Sequence, residues 1–324
     1  MTPVVPALRS PSGGFGVTVV IPLFDKASFI RRTLRSVFAQ THPPEQVIVV
    51  DDGSTDDGPT VIADLIGADV NRVRLISQPN AGPGPARNRG IADAASEWIA
   101  FLDGDDLWLP NHLATLADVA AACPDAAVVA TRHQRVAATD PHFDQDNSAV
   151  AARRLDFFRE AQTGEILQTS AVAVRRTALT EVGGFGAFFP GEDLDLWTRL
   201  ALDHVIAVSG RTTAHYVQQT GGLMDSLVDT KSFEPEHQPM FAVLAAALAD
   251  LRHAPRHRDI RALRDGLLRN SVKQELYRGD GAAARQLIND CDRLGAVVPH
   301  SYRWLAVLPR RLLIGAVRMA VSLR

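Results

Sequence analysis

The chain has 324 residues, a little over two domains at roughly 150 residues each, with 46% hydrophobic and 22% charged residues. That balance excludes a disordered or collagen-like chain, and a net charge of −3 excludes the generally cationic surface that wraps nucleic acid. Cys123 and Cys291 lie far apart and match no metal-ligand spacing, which argues against a disulfide framework and fits a reducing, cytoplasmic setting.

Residues 1–16 lack the charged start and long apolar run of a secretion signal and read as a flexible lead-in. Val17–Leu23 (VTVVIPL) is a β-branched run closed by Pro22, the pattern of a buried parallel strand. Ser28 then reads as the cap of a helix in which Phe29, Ile30, Leu34, Val37 and Phe38 recur at helical steps. Gln46–Val50 predicts a second strand, halted by the acidic turn Asp51-Asp52-Gly53-Ser54. A helix over about 59–67 and a strand over Val73–Ser77 follow.

Asn80–Gly90, rich in glycine and proline, reads as a loop into a short helix that ends near Ala95. Its backbone N–H groups, with Arg87 and Arg89, suit a diphosphate, although neither the Walker nor the GxGxxG spacing is present. Trp98–Leu102 predicts a fourth strand that ends on Asp103-Gly104-Asp105-Asp106. Strands alternating with helices imply a doubly wound, mostly parallel α/β sheet with helices on both faces, and they place every acidic cluster at the carboxyl edge where such sheets bind ligands.

Beyond residue 110 the expectations are a helix (111–122), a strand (Ala126–Thr131), a long polar loop (132–154), a strand (Ser170–Val174), and helices over Arg176–Val182 and Glu192–Leu202. Val205–Val208 reads as a further strand, with His215 beyond it. From about 233 onward the chain reads as helix, including a hairpin of Ile260–Tyr277 and Gly281–Leu294 around Arg278-Gly279-Asp280-Gly281. The last 24 residues carry five arginines and no acids beside Trp304, Leu305, Leu308 and Leu312, a basic amphipathic end suited either to an anionic membrane surface or to packing on the protein itself. No stretch reaches the roughly 18 apolar residues of a spanning helix.

Three carboxylates on one tight turn call for a compensating cation, and hard oxygen ligands favour Mg2+ or Mn2+. Glu192 and Asp193 at a helix start satisfy the helix dipole and equally suit a general base.

In that order, VTVVIPLFDKASFIRRTLRSVFAQT, VIVVDDGSTD, NAGPGPARNRGI, WIAFLDGDDLW and GEDLDLWTRLA resemble the family 2 glycosyltransferases of GT-A fold, over roughly residues 17–220. The resemblance implies a GT-A catalytic domain over 17–225 and a helical module over 233–324. It implies a nucleotide-diphosphate sugar, UDP-sugar foremost, held by Pro22, Phe24, Asp25, Asp51, Asp52, Gly82, Arg87, Asp103 and Gly104. Asp103 and Asp105 would be the metal-binding DxD pair, with His215 as a further ligand.

Asp193, with Glu192 beside it, would deprotonate an acceptor hydroxyl and invert the anomeric centre. The acceptor implied is a glycan or lipid-linked one, in surface polysaccharide or glycoconjugate synthesis at the inner face of the cell membrane. Phe24-Asp25 departs from the family's usual Tyr-Asn, and Pro85 replaces a small residue. An inactive sugar-nucleotide-binding scaffold and a sugar nucleotidyltransferase are the competing readings. The intact DGD and GED segments speak against the first, and the lack of a lysine-bearing glycine-rich loop near the N-terminus speaks against the second. Oligomeric state stays open, and nucleic acid is not an expected partner.

Overall fold

The computed structural model describes residues 14–66, 73–138, 152–163, 167–218, 239–310 and 312–313. Most of the lead-in, part of the 132–154 segment, the stretch joining the two predicted domains and half of the basic C-terminal end lie outside these residues. The chain divides into two compact units, Met1–Asp156 with Ile166–Thr220 and Phe157–Glu165 with Gly221–Arg324.

In the first unit β1 (Val17–Leu23), α1 (Ala27–Phe38), β2 (Gln46–Asp51), α2 (Gly58–Ile66), β3 (Val73–Ser77), α3 (Pro83–Asp93) and β4 (Trp98–Phe101) alternate as predicted. There follow β5 (Leu107–Trp108), α4 (His112–Ala122), β6 (Ala126–Ala137) and β7 (Arg153–Arg154). After a segment that belongs to the second unit come β8 (Val172–Arg175), α6 (Arg176–Val182), α7 (Glu192–Asp203) and β9 (Val205–Gln218).

One mixed, mostly parallel sheet orders these strands β3-β2-β1-β4-β8-β6-β9-β5, with β7 alongside β9. β1 runs parallel to both β2 (Val20↔Ile48) and β4 (Val20↔Phe101), so it is flanked on both edges, and its side chains are almost all buried. This is why its sequence reads as an unbroken apolar run rather than an alternation. The carboxyl ends are stitched together: Asp52 N–H donates to the Leu23 carbonyl (2.8 Å), Gln78 N–H to that of Asp51 (2.9 Å) and Leu102 N–H to that of Val20 (3.1 Å). The acidic turns are thereby held at one edge.

Several boundaries differ from expectation. α1 starts at Ala27 rather than after Ser28, because Ala27 N–H donates to Asp56 Oδ2 (2.7 Å); the N-terminal cap comes from another loop instead of a neighbouring hydroxyl. The predicted loop 80–90 is helical from Pro83, proline being preset for the first helical position. β8 begins at Val172 after a 3-10 turn over Thr169–Ala171. β6 and β9 run well past their predicted ends and pair in parallel from Ala126↔Val205 to Ala137↔Gln218. Residues 132–137, taken as loop, carry no apolar pattern because most of them are exposed although the backbone pairs. His215 consequently lies inside β9, opposite Leu107.

The second unit joins α5 (Phe157–Glu160) to α8 (Pro239–Ala249), α9 (His257–Arg278), α10 (Gly281–Arg293) and α11 (His300–Ala306). α9 and α10 form the expected hairpin. Gly279 adopts the left-handed conformation (φ 75°) that ends α9, and Asp280 accepts from Ala282 N–H (3.0 Å) and Ala283 N–H (2.9 Å) to start α10. Cys123 and Cys291 are both free thiols. Among the described residues no helix is long and apolar enough to cross a membrane.

Candidate active site

Four loops meet at the carboxyl edge of β1, β2, β3 and β4. After β1, Asp25 is a non-glycine residue with positive φ (49°), a strained conformation that Asp tolerates better than most residues. Its Oδ1 accepts from Thr55 N–H (2.7 Å) and Asp56 N–H (3.3 Å), so the strained residue ties the first loop to the second. Beside it Phe24 is exposed, and Pro22 still lies within β1, opposite Val50, one residue before the strand ends at Leu23.

Asp51 Oδ1 accepts from Ser54 N–H (3.0 Å) and closes the acidic turn. Asp52 is buried and accepts from Gln78 Nε2 (2.8 Å), Ala81 N–H (2.9 Å) and Gly82 N–H (2.8 Å), which anchors the loop into α3. Gly82 has φ 94° with open space where a Cβ would stand. Pro83 and Pro85 have no N–H, and Ala86 N–H is taken by the Gly82 carbonyl (3.2 Å). The flexible, donor-rich loop expected here is thus a rigid helix start with few backbone donors to offer a phosphate, and the cationic work falls to side chains.

Arg87, on α3, is buried and joins segments far apart in sequence: one nitrogen donates to Asp103 Oδ1 (2.7 Å), the other to Glu192 Oε1 (2.9 Å), and the guanidinium lies over the Phe185 ring (5.1 Å to its centroid). Burial opposes its charge, but Asp103 and Glu192 outweigh that and raise its pKa above the usual arginine value. Arg89, by contrast, pairs with Asp93 (3.0 Å) on the exposed side of α3.

The Asp103–Asp106 turn is held from three directions. Ser170 Oγ accepts from Asp103 N–H (3.0 Å) and donates to Asp106 Oδ2 (2.6 Å). Gln168 Nε2 (3.1 Å) and Val217 N–H (2.9 Å) also donate to the fully buried Asp106 carboxyl, whose pKa is raised well above the ordinary carboxylate range by burial and then by Asp103 and Asp105. Thr33 Oγ1 is 3.0 Å from the carbonyls of both Gly104 and Asp106. Asp105 pairs with Lys26 Nζ at 2.6 Å.

α7 opens after Gly191 in the left-handed region (φ 104°). Glu192 is buried, and burial with the neighbouring Asp193 charge lifts its pKa to about 7 against the pull of Arg87. Asp193 Oδ1 accepts from Leu194 N–H (2.7 Å), and burial raises its pKa as well. The loop before α7 is braced on both sides. Asn88 pairs with both backbone groups of Phe185 (2.8 Å each), while Arg199 binds Asp195 (2.9 and 2.7 Å) and the Gly184 carbonyl (2.7 Å). A Cβ on Gly84 would stand 2.2 Å from the Gly186 carbonyl, so α3 and this loop meet backbone to backbone.

Hard divalent cations take oxygen ligands. The carboxylates of Asp103 and Asp105 are oxygens of that kind, and in the structure they face the Arg87 guanidinium and the Lys26 ammonium. Among the described residues no three His, Cys, Asp or Glu side chains are grouped to hold a metal, and burial lowers the pKa of the His215 imidazole in β9. The donor set fits an ion that completes its shell with phosphate oxygens rather than a closed protein cage. Lys26, Asn88, Ser170 and Arg199 were not expected in the site; nothing local in the sequence marks them, whereas Asp106 stood in the acidic run itself.

The family model described as Glycosyl transferase family 2 matches residues 18–183. The succinoglycan biosynthesis protein ExoW of Rhizobium meliloti is 46% identical over 100 residues, 30% of this chain and 31% of its own. The glycosyltransferase AglE of Haloferax volcanii is 30% identical over 200 residues, 58% of this chain and 61% of its own. The chain therefore matches less than two thirds of the length of these curated relatives. Among solved structures, S. aureus TarS 1-349 in complex with UDP-GlcNAc has a TM-score of 0.69 at 19% identity, covering 93% of this chain and 89% of that one. The mannosyltransferase PcManGT from Pyrobaculum calidifontis, in complex with GDP-Man and Mn2+, has a TM-score of 0.60 at 19% identity, covering 98% and 83%. Both share the GT-A fold.

Proposed function

This chain belongs to glycosyl transferase family 2, and from that premise we propose that it moves a sugar from a nucleotide-diphosphate donor to an acceptor hydroxyl with inversion at the anomeric carbon. The observation that carries the reading is the Arg87 bridge, which brings the DGD turn and the Glu192-Asp193 helix start into one buried cluster across 105 positions of sequence. The donor's nucleoside sits over the loops after β1 and β2, where Pro22, Phe24, Asp25, Asp51 and Asp52 define the floor, and its diphosphate lies toward Gly82, Arg87, Asp103 and Gly104. A UDP-sugar is favoured by the UDP-GlcNAc-bound neighbour, and the GDP-Man-bound one supplies the obvious competitor.

Asp193 is the base. Glu192 is committed to Arg87, whereas Asp193 has one oxygen on its own helix and a pKa raised toward the range in which a carboxylate takes up a proton efficiently. The acceptor oxygen gives its proton to Asp193 as it bonds to the anomeric carbon from the face opposite the diphosphate; the anomeric carbon–oxygen bond breaks, and the electron pair leaves with the nucleoside diphosphate. Asp103 and Asp105 would hold Mn2+ or Mg2+, which when bound neutralises charge building on the leaving diphosphate. Arg87 orients Asp103 and Glu192 and keeps water from their buried side.

The acceptor is a glycan or lipid-linked hydroxyl, a class consistent with the similarity to ExoW, a succinoglycan biosynthesis protein. Exposed Trp304, Val307 and Leu312 near Arg303 and Arg310 support peripheral contact with the inner membrane face. Replacing Asp193 by Asn tests the mechanism: donor binding by calorimetry stays within about threefold while transfer falls by about 10²–10⁴-fold. Transfer at the wild-type rate would refute the assignment.

A further inference from the structure

The acidic turn after β4 calls for compensating positive charge, and the chain itself supplies it. Asp103 is paired with Arg87 at 2.7 Å and Asp105 with Lys26 at 2.6 Å, and Arg32 lies within electrostatic reach of Asp105 and Asp106. Lys26 is not a freely waving surface lysine. It is the residue from which α1 departs, its carbonyl accepts from the N–H groups of Phe29 and Ile30 (2.9 Å each), and its ammonium lies 5.6 Å from the centroid of the Phe29 ring. The pair is largely withdrawn from water, with side-chain exposures of 13% and 16%. Its backbone is fixed further by Asp56, which caps the adjoining Ala27 N–H.

We propose that Lys26 is the resident counter-ion of Asp105 and competes there with the divalent cation, so that the ion is taken up together with the donor's diphosphate rather than ahead of it. The inference rests on the metal-assisted reading above and adds to it an order of events. An ion that binds only the fraction of molecules with an open Asp105 has its apparent dissociation constant divided by that fraction, and so binds more weakly. A diphosphate changes the competition, because it offers the ammonium another anion within reach and offers the ion additional hard oxygens. Lys26 thus holds the turn neutral and closed when no donor is present, and turns to the diphosphate when one is.

The test measures Mn2+ binding through the electron paramagnetic resonance signal of the free ion, with and without UDP, for the full chain and its Lys26→Gln, Lys26→Ala and Lys26→Arg variants. Without UDP, Lys26→Gln and Lys26→Ala bind Mn2+ about tenfold more tightly than the parent, the scale of one partly buried ion pair, while Lys26→Arg stays close to the parent. With UDP present the advantage of the two neutral variants shrinks. Equal or weaker Mn2+ binding by both neutral variants without UDP overturns the competition. If Mn2+ binds tightly yet is indifferent to residue 26, this inference alone falls; if no variant binds Mn2+ while UDP itself still binds, the metal-assisted reading falls with it.

Discussion

Arg87→Met keeps the length of the side chain and removes its charge. Two charge-assisted hydrogen bonds are lost, one to Asp103 at the rim and one to Glu192, which is 3% exposed. A buried carboxylate stripped of its partner costs about 3–5 kcal/mol, but Glu192 has an escape: it can take up a proton. In the parent its pKa is already lifted to about 7, against 4.5 for an ordinary glutamate. A raised carboxyl pKa means the folded chain holds the proton more tightly than the unfolded one, so stability from this group is present below about pH 4.5 and is lost as pH rises through 7.

Without Arg87 the pKa moves higher still, and the penalty of the substitution must grow with pH. Each pH unit over which the variant holds a proton that the parent has released adds up to about 1.4 kcal/mol, and the parent releases its proton only above about pH 7, so a loss of about 1–2 kcal/mol at pH 6 grows to about 2.5–3.5 kcal/mol at pH 8. Urea unfolding at both pH values, followed by fluorescence of Trp98, Trp108 and Trp197, measures it. In a Glu192→Gln background the pH dependence vanishes and the coupling appears in a double-mutant cycle. A loss that is under 1 kcal/mol and flat with pH would refute the view that Arg87 neutralises a buried Glu192.

His112 is buried, with Nδ1 2.7 Å from Thr213 Oγ1, and burial lowers its pKa to about 3. Stability from its neutral form is complete above about pH 6.5 and declines as pH falls toward 3, by at most about 1.4 kcal/mol per unit; comparing acid unfolding of His112→Leu with the parent isolates that slope, and identical slopes would sink the assignment. Gly84→Ala drives a methyl into the Gly186 carbonyl and costs about 2–4 kcal/mol by thermal unfolding, more than Gly82→Ala, whose φ is strained but whose methyl meets open space; the reverse order would disprove the backbone contact. Ser170→Ala leaves the Asp103 N–H and Asp106 each short of a partner, costing about 1–3 kcal/mol in stability and weakening nucleotide binding in calorimetry, with Ser170→Thr restoring both; an unchanged dissociation constant would show that the turn keeps its shape without the bridge.

What the sequence made legible follows from how strongly local residues determine their own surroundings. β1, β2 and β4 are flanked on both edges and almost wholly buried, so their apolar runs announced strands, as did the run of β3 at the sheet's edge, and the acidic turns after β2 and β4 marked the edge where a ligand was expected. The far ends of β6 and β9 were not legible because backbone pairing, not side-chain burial, holds them. Prolines and glycines at 83–85 disguised a helix start as a loop, since the signal they carry is punctuation and not its direction. The partners of the acidic residues were hidden for a different reason. Lys26 reaches Asp105 across 79 positions and Ser170 reaches Asp106 across 64, and no periodicity encodes a contact between separate loops.

The placement of Phe157–Glu165 with Gly221–Arg324 has a practical consequence for anyone who cuts or splices this chain. The helical unit is discontinuous: its short first piece, with the buried rings of Phe157 and Phe158, is encoded between two strands of the sheet. A fragment ending near 220 would carry two orphaned phenylalanines and a fragment starting there would lack them, so neither is a clean half. A chimera that exchanges the helical unit with that of a relative must therefore exchange both pieces at once, and tracts 157–165 and 221–324 are expected to change together when such chains diverge.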